Sequence, residues 1–113
     1  MASHLTVAPL PGPVTIQAAG VALGKSDRAL ELREGSYPPV IYVPRQDIDM
    51  TRLTKSARSS SCPWKGAASY YSILIPGGLL DDAVWSYEAP LPDMQAIAGH
   101  LAFYTDRVTV TRG

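Results

Sequence analysis

The chain has 113 residues, ten Lys and Arg against ten Asp and Glu, and 46% hydrophobic residues. That is enough for one domain with a modest core, and a net charge of zero argues against a broad nucleic-acid surface. No apolar run nears the ~20 residues that span a bilayer, and the single cysteine, Cys62, excludes an intramolecular disulfide and a multi-cysteine zinc site.

Ten Pro and nine Gly exceed average use. They sit singly between apolar runs, where they punctuate turns, so the sequence predicts a mainly β single domain of short antiparallel strands in a folded sheet or barrel, with one or two short helices. Residues 1–13 read as an irregular arm with Val7 or Leu10 pinned to a β-rich domain over 14–113. The arm has no basic region followed by an apolar stretch, which makes a cytoplasmic location the expectation.

Val14-Thr15-Ile16-Gln17 alternates as a half-buried strand does, Gly20 breaks it, and residues 21–24 resume a short one. Residues 28–33 form the clearest alternating strand, with Leu30 and Leu32 on one face and Glu31 and Arg33 on the other. Val40-Ile41-Tyr42-Val43 is apolar on both faces, as central strands are. A turn or two of helix is expected over 47–53, then a polar, Ser-rich loop over 54–61. Residues 68–75 and 82–87 read as strands joined through Pro76-Gly77-Gly78. Met94, Ile97, Ala98 and Leu101 recur at helical spacing, which predicts a short helix capped by Asp93. Residues 108–111 alternate again and close the sheet.

The densest group of unusual residues is Cys62-Pro63-Trp64-Lys65-Gly66. Its Pro and Gly fix a tight connection that presents both the thiol and the ammonium. A neighbouring ammonium favours a thiolate, so Cys62 is a candidate nucleophile or redox thiol; the alternative is a small buried apolar residue beside a structural cation. Strand alternation sets Glu88 and Ser86 opposite Trp85 and Tyr87. There Glu88 could cap a ligand, act as a general base, or pair with Arg45 and Lys65. Six Tyr and two Trp against one Phe is an expensive way to build a core, because each buried hydroxyl needs a partner. The excess fits a polar-lined pocket or a stacking surface for a flat ring. Nucleotide-binding glycine motifs and the H-E-x-x-H zinc motif are absent, and the adjacent Asp81 and Asp82 point to opposite faces, so neither a cofactor nor a metal is expected.

The order of motifs resembles domain-of-unknown-function family 427. The residues that carry the likeness are Arg28–Glu34 with Gly35-Ser36-Tyr37-Pro38-Pro39, Tyr42-Val43-Pro44-Arg45, Cys62-Pro63-Trp64-Lys65-Gly66, Ala68-Ser69-Tyr70, Ala83-Val84-Trp85-Ser86-Tyr87, Pro90-Leu91-Pro92, and Ile97-Ala98-Gly99-His100 leading to Ala102-Phe103-Tyr104 and Asp106-Arg107-Val108. The resemblance implies a β-tent-like domain; some other members of that fold group bind zinc through cysteines, and this chain, with one cysteine, lacks that zinc site. Some family members carry a nucleotidyltransferase-like label, and such transferases need paired metal-binding carboxylates that are not found here at suitable spacing. The family's characteristic residues map onto Arg45, Cys62, Lys65, Tyr70, Trp85, Tyr87 and Tyr104.

Two functions are therefore expected side by side. One is a module that binds a small anionic or ring-containing ligand through Arg45, Trp64, Lys65, Tyr70, Trp85, Tyr87 and Tyr104. The other is a small enzyme in which Cys62 is assisted by Lys65 and Glu88, with a purely structural or interaction domain as a third alternative. No membrane partner is expected, and short exposed strands leave a homodimer open.

Overall fold

The computed structural model describes residues 5–113. Among these, ten strands form three antiparallel sheets. The first sheet joins β1 (Leu5–Pro9), β4 (Leu30–Glu34) and β5 (Val40–Tyr42), in that order. The second joins β10 (Thr109–Arg112), β2 (Val14–Ala18) and β3 (Val21–Ser26). The third runs β6 (Leu53–Cys62), β7 (Gly66–Ile75), β8 (Gly78–Ser86) and β9 (Leu101–Phe103). The chain is one mainly β domain, as its punctuated apolar pattern predicts.

Alternation explains how the strands face. Along β2, Val14, Ile16 and Ala18 are buried while Thr15 and Gln17 are exposed. The β2–β3 hairpin turns through Ala19 and Gly20, both at positive φ, which suits a two-residue connection. Gly24 on β3 is required for a different reason: an added Cβ would lie 2.2 Å from the Asp47 backbone oxygen. That close approach lets Asp49 N–H donate to the Leu23 carbonyl at 2.8 Å.

Sheets one and three meet where Val43 and Leu101 exchange two backbone hydrogen bonds of 2.8 Å. The apolar run over 40–43, expected as a central strand, ends its sheet instead: Val40 and Ile41 are half-buried, and only Tyr42 and Val43, beside the bridge to Leu101, are fully enclosed. Two apolar clusters fill the molecule. One gathers Ile16, Leu23, Val43, Tyr71, Ile73 and Leu101, and the other Leu32, Tyr42, Tyr70, Tyr87, Met94 and Ile97. Adjacent Tyr70 and Tyr71 serve different clusters because successive side chains on a strand point to opposite faces.

Four further expectations are corrected. Residues 5–9 of the expected irregular arm are a strand, paired along its length with β4 from Leu5↔Glu34 to Pro9↔Leu30; residues 1–4 lie outside the described residues. Residues 54–61, expected as a loop, belong to the ten-residue strand β6, because an edge strand exposed on both faces need not alternate apolar and polar residues. The expected helix over 47–53 is two single 3₁₀ turns, Arg45–Asp47 and Met50–Arg52. The Met94 stripe is a 3₁₀ segment, Pro92–Ile97, interrupted at Met94, and Leu101 already lies in a strand. Gly99, at φ +70°, turns the chain out of the helical path before the stripe completes.

Candidate functional site

The turn Cys62-Pro63-Trp64-Lys65-Gly66 joins β6 to β7. Lys65 N–H donates to the Cys62 carbonyl at 3.3 Å, and the Lys65 carbonyl accepts from Leu91 N–H at 2.9 Å. Gly66 holds φ +107°, and a Cβ there would sit 3.3 Å from Leu91 N, so the turn lies directly against the Pro90-Leu91 segment. This backbone aims the Lys65 side chain inward. Its ammonium donates to Glu34 Oε1 at 3.0 Å and stands 5.9 Å from the Tyr87 ring centre, with only 11% of the side chain exposed.

Lys65 and Glu34 form the polar end of a pocket of about 260 Å³. Leu32, Val40 and Tyr42 line it from the first sheet, and Tyr70 and Trp85 from the third. Tyr87 and Tyr104, each just past the end of a strand, complete the aromatic wall, while Tyr37 and Pro38 form a rim. Tyr37 is 72% exposed. Trp85 organises the wall: its Nε1–H donates to the Tyr42 hydroxyl at 3.2 Å, and its ring centre lies 4.7 Å from that of Tyr104. Burial pushes the Tyr42 phenol up to about 12, eased by the Trp85 hydrogen bond, and burial pushes Tyr87 up as well. Both phenols therefore stay neutral at physiological pH and keep a proton to donate.

The sequence candidates divide between two faces of β7. Lys65, Tyr70, Trp85, Tyr87 and Tyr104 share the pocket. Trp64 packs at the margin of the adjoining apolar cluster without lining the pocket, and Cys62 is half-buried against the same cluster. Arg45 and Glu88 lie elsewhere, grouped with Tyr71 on the opposite face. Arg45 donates to Glu88 at 2.8 Å and to the Tyr71 hydroxyl at 3.3 Å, Lys55 donates to Glu88 at 2.9 Å, and Tyr71 donates a short hydrogen bond to the same carboxylate. Partial burial raises the Glu88 carboxyl, but the Tyr71 and Lys55 hydrogen bonds and the charges of Lys55 and Arg45 outweigh it and lower the group to about 2. The expected pairing against Glu88 is thus corrected: Arg45 takes part, Lys55 stands where Lys65 was expected, and Lys65 turns to Glu34. The reason is alternation, which sends Tyr87 to the pocket and Glu88 away from it.

Glu34, Tyr37 and Tyr42 are pocket residues that the motif reading did not single out as a site. For Glu34 the signal was present: it continues the Leu30–Leu32 face of β4 and so points inward with them.

Fold and pocket together define a small antiparallel β domain with an aromatic cleft closed at one end by an ion pair. The sequence matches the model of the family described as "Domain of unknown function (DUF427)" over residues 6–112, and the chain belongs to that family. A comparison with curated proteins finds no match. Among the described residues no helix is long and apolar enough to cross a membrane, and no three His, Cys, Asp or Glu side chains are grouped to hold a metal ion.

Proposed function

We propose that this domain is a binding module for a small ligand containing a planar ring, held in the Tyr42–Trp85–Tyr87–Tyr104 pocket. The observation that carries the reading is the convergence of six aromatic side chains, counting Tyr37 and Tyr70, on one cleft with a single ion pair. Such walls offer offset and edge-on contacts to a flat ring, and the neutral phenols supply hydrogen bonds that fix its orientation. The Lys65 charge is balanced by Glu34, so the cleft itself favours ring shape over net charge. This geometry supports a binding module better than a Cys62 enzyme, because the Lys65 ammonium in the same turn is directed at Glu34 and Glu88 lies on the other face.

The test is a thermal-shift screen of ring-containing metabolites on the wild type and on the Tyr104→Ala, Tyr37→Ala and Arg45→Ala variants. Stabilisation by ring compounds should shrink in the two pocket variants and persist in Arg45→Ala. Absence of any stabilising ring compound, or stabilisation indifferent to both pocket changes, refutes the proposal.

A further inference from the structure

Lys65 is the cation inside the pocket, yet its charge is directed at Glu34. Two guanidinium groups lie over tyrosine rings that line the pocket, those of Arg58 over Tyr70 and of Arg107 over Tyr104. On β6 the register with β7 shifts between Lys55 and Ser59, and Arg58 sits within that irregularity. Its own N–H donates to the Ser56 hydroxyl at 3.2 Å. Bulged strands re-aim side chains in this way. The Arg58 guanidinium lies 4.4 Å from the Tyr70 ring centre and makes no ion pair among the described residues.

A second guanidinium reaches the same rim. Arg107 lies 5.4 Å from the Tyr104 ring centre and is held by the backbone carbonyls of Asp81 and Asp82. The two tyrosines are neighbours: burial raises the Tyr104 phenol first, and the Tyr70 hydroxyl raises it further, while the charges of Arg58 and Arg107 both lower it. Both guanidinium fields therefore act at the Tyr104 hydroxyl. The Tyr70 hydroxyl is also 2.8 Å from the Ser60 hydroxyl, which adds a hydrogen-bonding group on the Arg58 side. Stacking on an aromatic ring leaves the edge of a guanidinium, with its N–H donors, open to an oxyanion.

We propose that the ligand is a planar ring bearing an oxyanion, a phosphate or a carboxylate, and that Arg58 with Arg107 receives this group at the Tyr70–Tyr104 rim while the ring enters the pocket. This assignment rests on the binding-module reading. It divides recognition in two, with shape read inside by aromatic walls and charge read outside by two arginines. Arg58 is the specificity-determining residue, since Arg107 is already engaged with backbone carbonyls and with Asp106 at 3.7 Å.

Isothermal titration of the whole domain with naphthol, naphthoate and naphthyl phosphate at neutral pH and low salt tests the division. The anionic probes should bind the wild type at least about tenfold more tightly than naphthol, in keeping with a charge-assisted hydrogen bond. Whichever anion is preferred tells carboxylate from phosphate. Arg58→Gln should reduce the preference to below about threefold, with naphthol affinity retained, and Arg58→Lys should restore only part of it, because an ammonium lacks the planar fork. Arg45→Gln should behave as the wild type. Equal binding of all three probes, or a preference that survives Arg58→Gln and Arg107→Gln, overturns the rim assignment and leaves the pocket reading standing. A preference abolished by Lys65→Met but not by Arg58→Gln does the same. Failure of all three rings to bind removes the pocket reading and this assignment together.

Discussion

Replacing Lys65 by Met removes the charge and keeps the apolar stem that packs in the pocket wall. The ammonium stands 3.0 Å from Glu34 and is 11% exposed, against 26% for the carboxylate side chain. At that separation, with an effective dielectric constant of about 20, the gross attraction is about 5 kcal/mol. Desolvation of so enclosed an ammonium offsets most of it, which leaves a net coupling of about 1–2 kcal/mol. Lys65→Met should therefore lose about 2 kcal/mol, and Glu34→Gln about 1 kcal/mol, while the double variant loses less than their sum by the coupling. For a domain of this size the first loss lowers Tm by about 8–10 °C. Urea unfolding of the four proteins, with linear extrapolation to water, measures the cycle. If the single losses add to within about 0.3 kcal/mol, the pair contributes nothing, and a charge-balanced pocket end is the wrong description.

Three further outcomes follow from the geometry. Glu88 is lowered from 4.5 to about 2, so its contribution is complete above pH 4.5 and is lost as the pH falls through the folded value. With about a third of its side chain exposed, screening limits that contribution to about 1–2 kcal/mol, so Glu88→Gln should be less stable than the wild type by that amount at neutral pH and level with it near pH 2. Tyr42, raised from 10 to about 12, contributes in full below pH 10 and loses that contribution as the pH rises to 12. Tyr42→Phe should lose about 1–2 kcal/mol at neutral pH by stranding the Trp85 N–H, and its alkaline unfolding curve should be shallower than that of the wild type. Gly24→Ala, with no room for a Cβ beside Asp47, should lose about 2–3 kcal/mol by urea unfolding; an unchanged midpoint would show that the β3 contact yields freely.

The strands were legible where burial writes a period of two into the residues, fully in β2 and, through the more enclosed Leu32 and Val110, in β4 and β10. β6 was not, since ten residues of Thr, Ser, Lys, Arg and Ala with both faces exposed carry no such period, and only pairing with β7 makes them a strand. The Met94 stripe misled for the opposite reason: helical spacing was present, but Gly99 and the pairing of Leu101 with Val43 redirected the chain. Within the site, the turn at Lys65 and the aromatic side chains were visible as types. Alternation already parted Tyr87 from Glu88, but which face meets which residues of the other sheets was not legible, because that Lys65 turns to Glu34 and Arg45 to Glu88 depends on how the strands of different sheets pack. Arg58 escaped for the same reason as its strand.

The central claim is that ring ligands enter the pocket walled by Tyr42, Trp85, Tyr87 and Tyr104. Titration of the isotopically labelled domain with naphthoate, followed by amide and aromatic chemical shifts, tests it most directly. Saturable shifts should concentrate on the Trp85 indole N–H, the four aromatic rings and the Lys65-Gly66 amides, with Arg45, Tyr71 and Glu88 on the far face unchanged. Shifts confined to that far face, or none at concentrations that saturate the wild type in calorimetry, would contradict it.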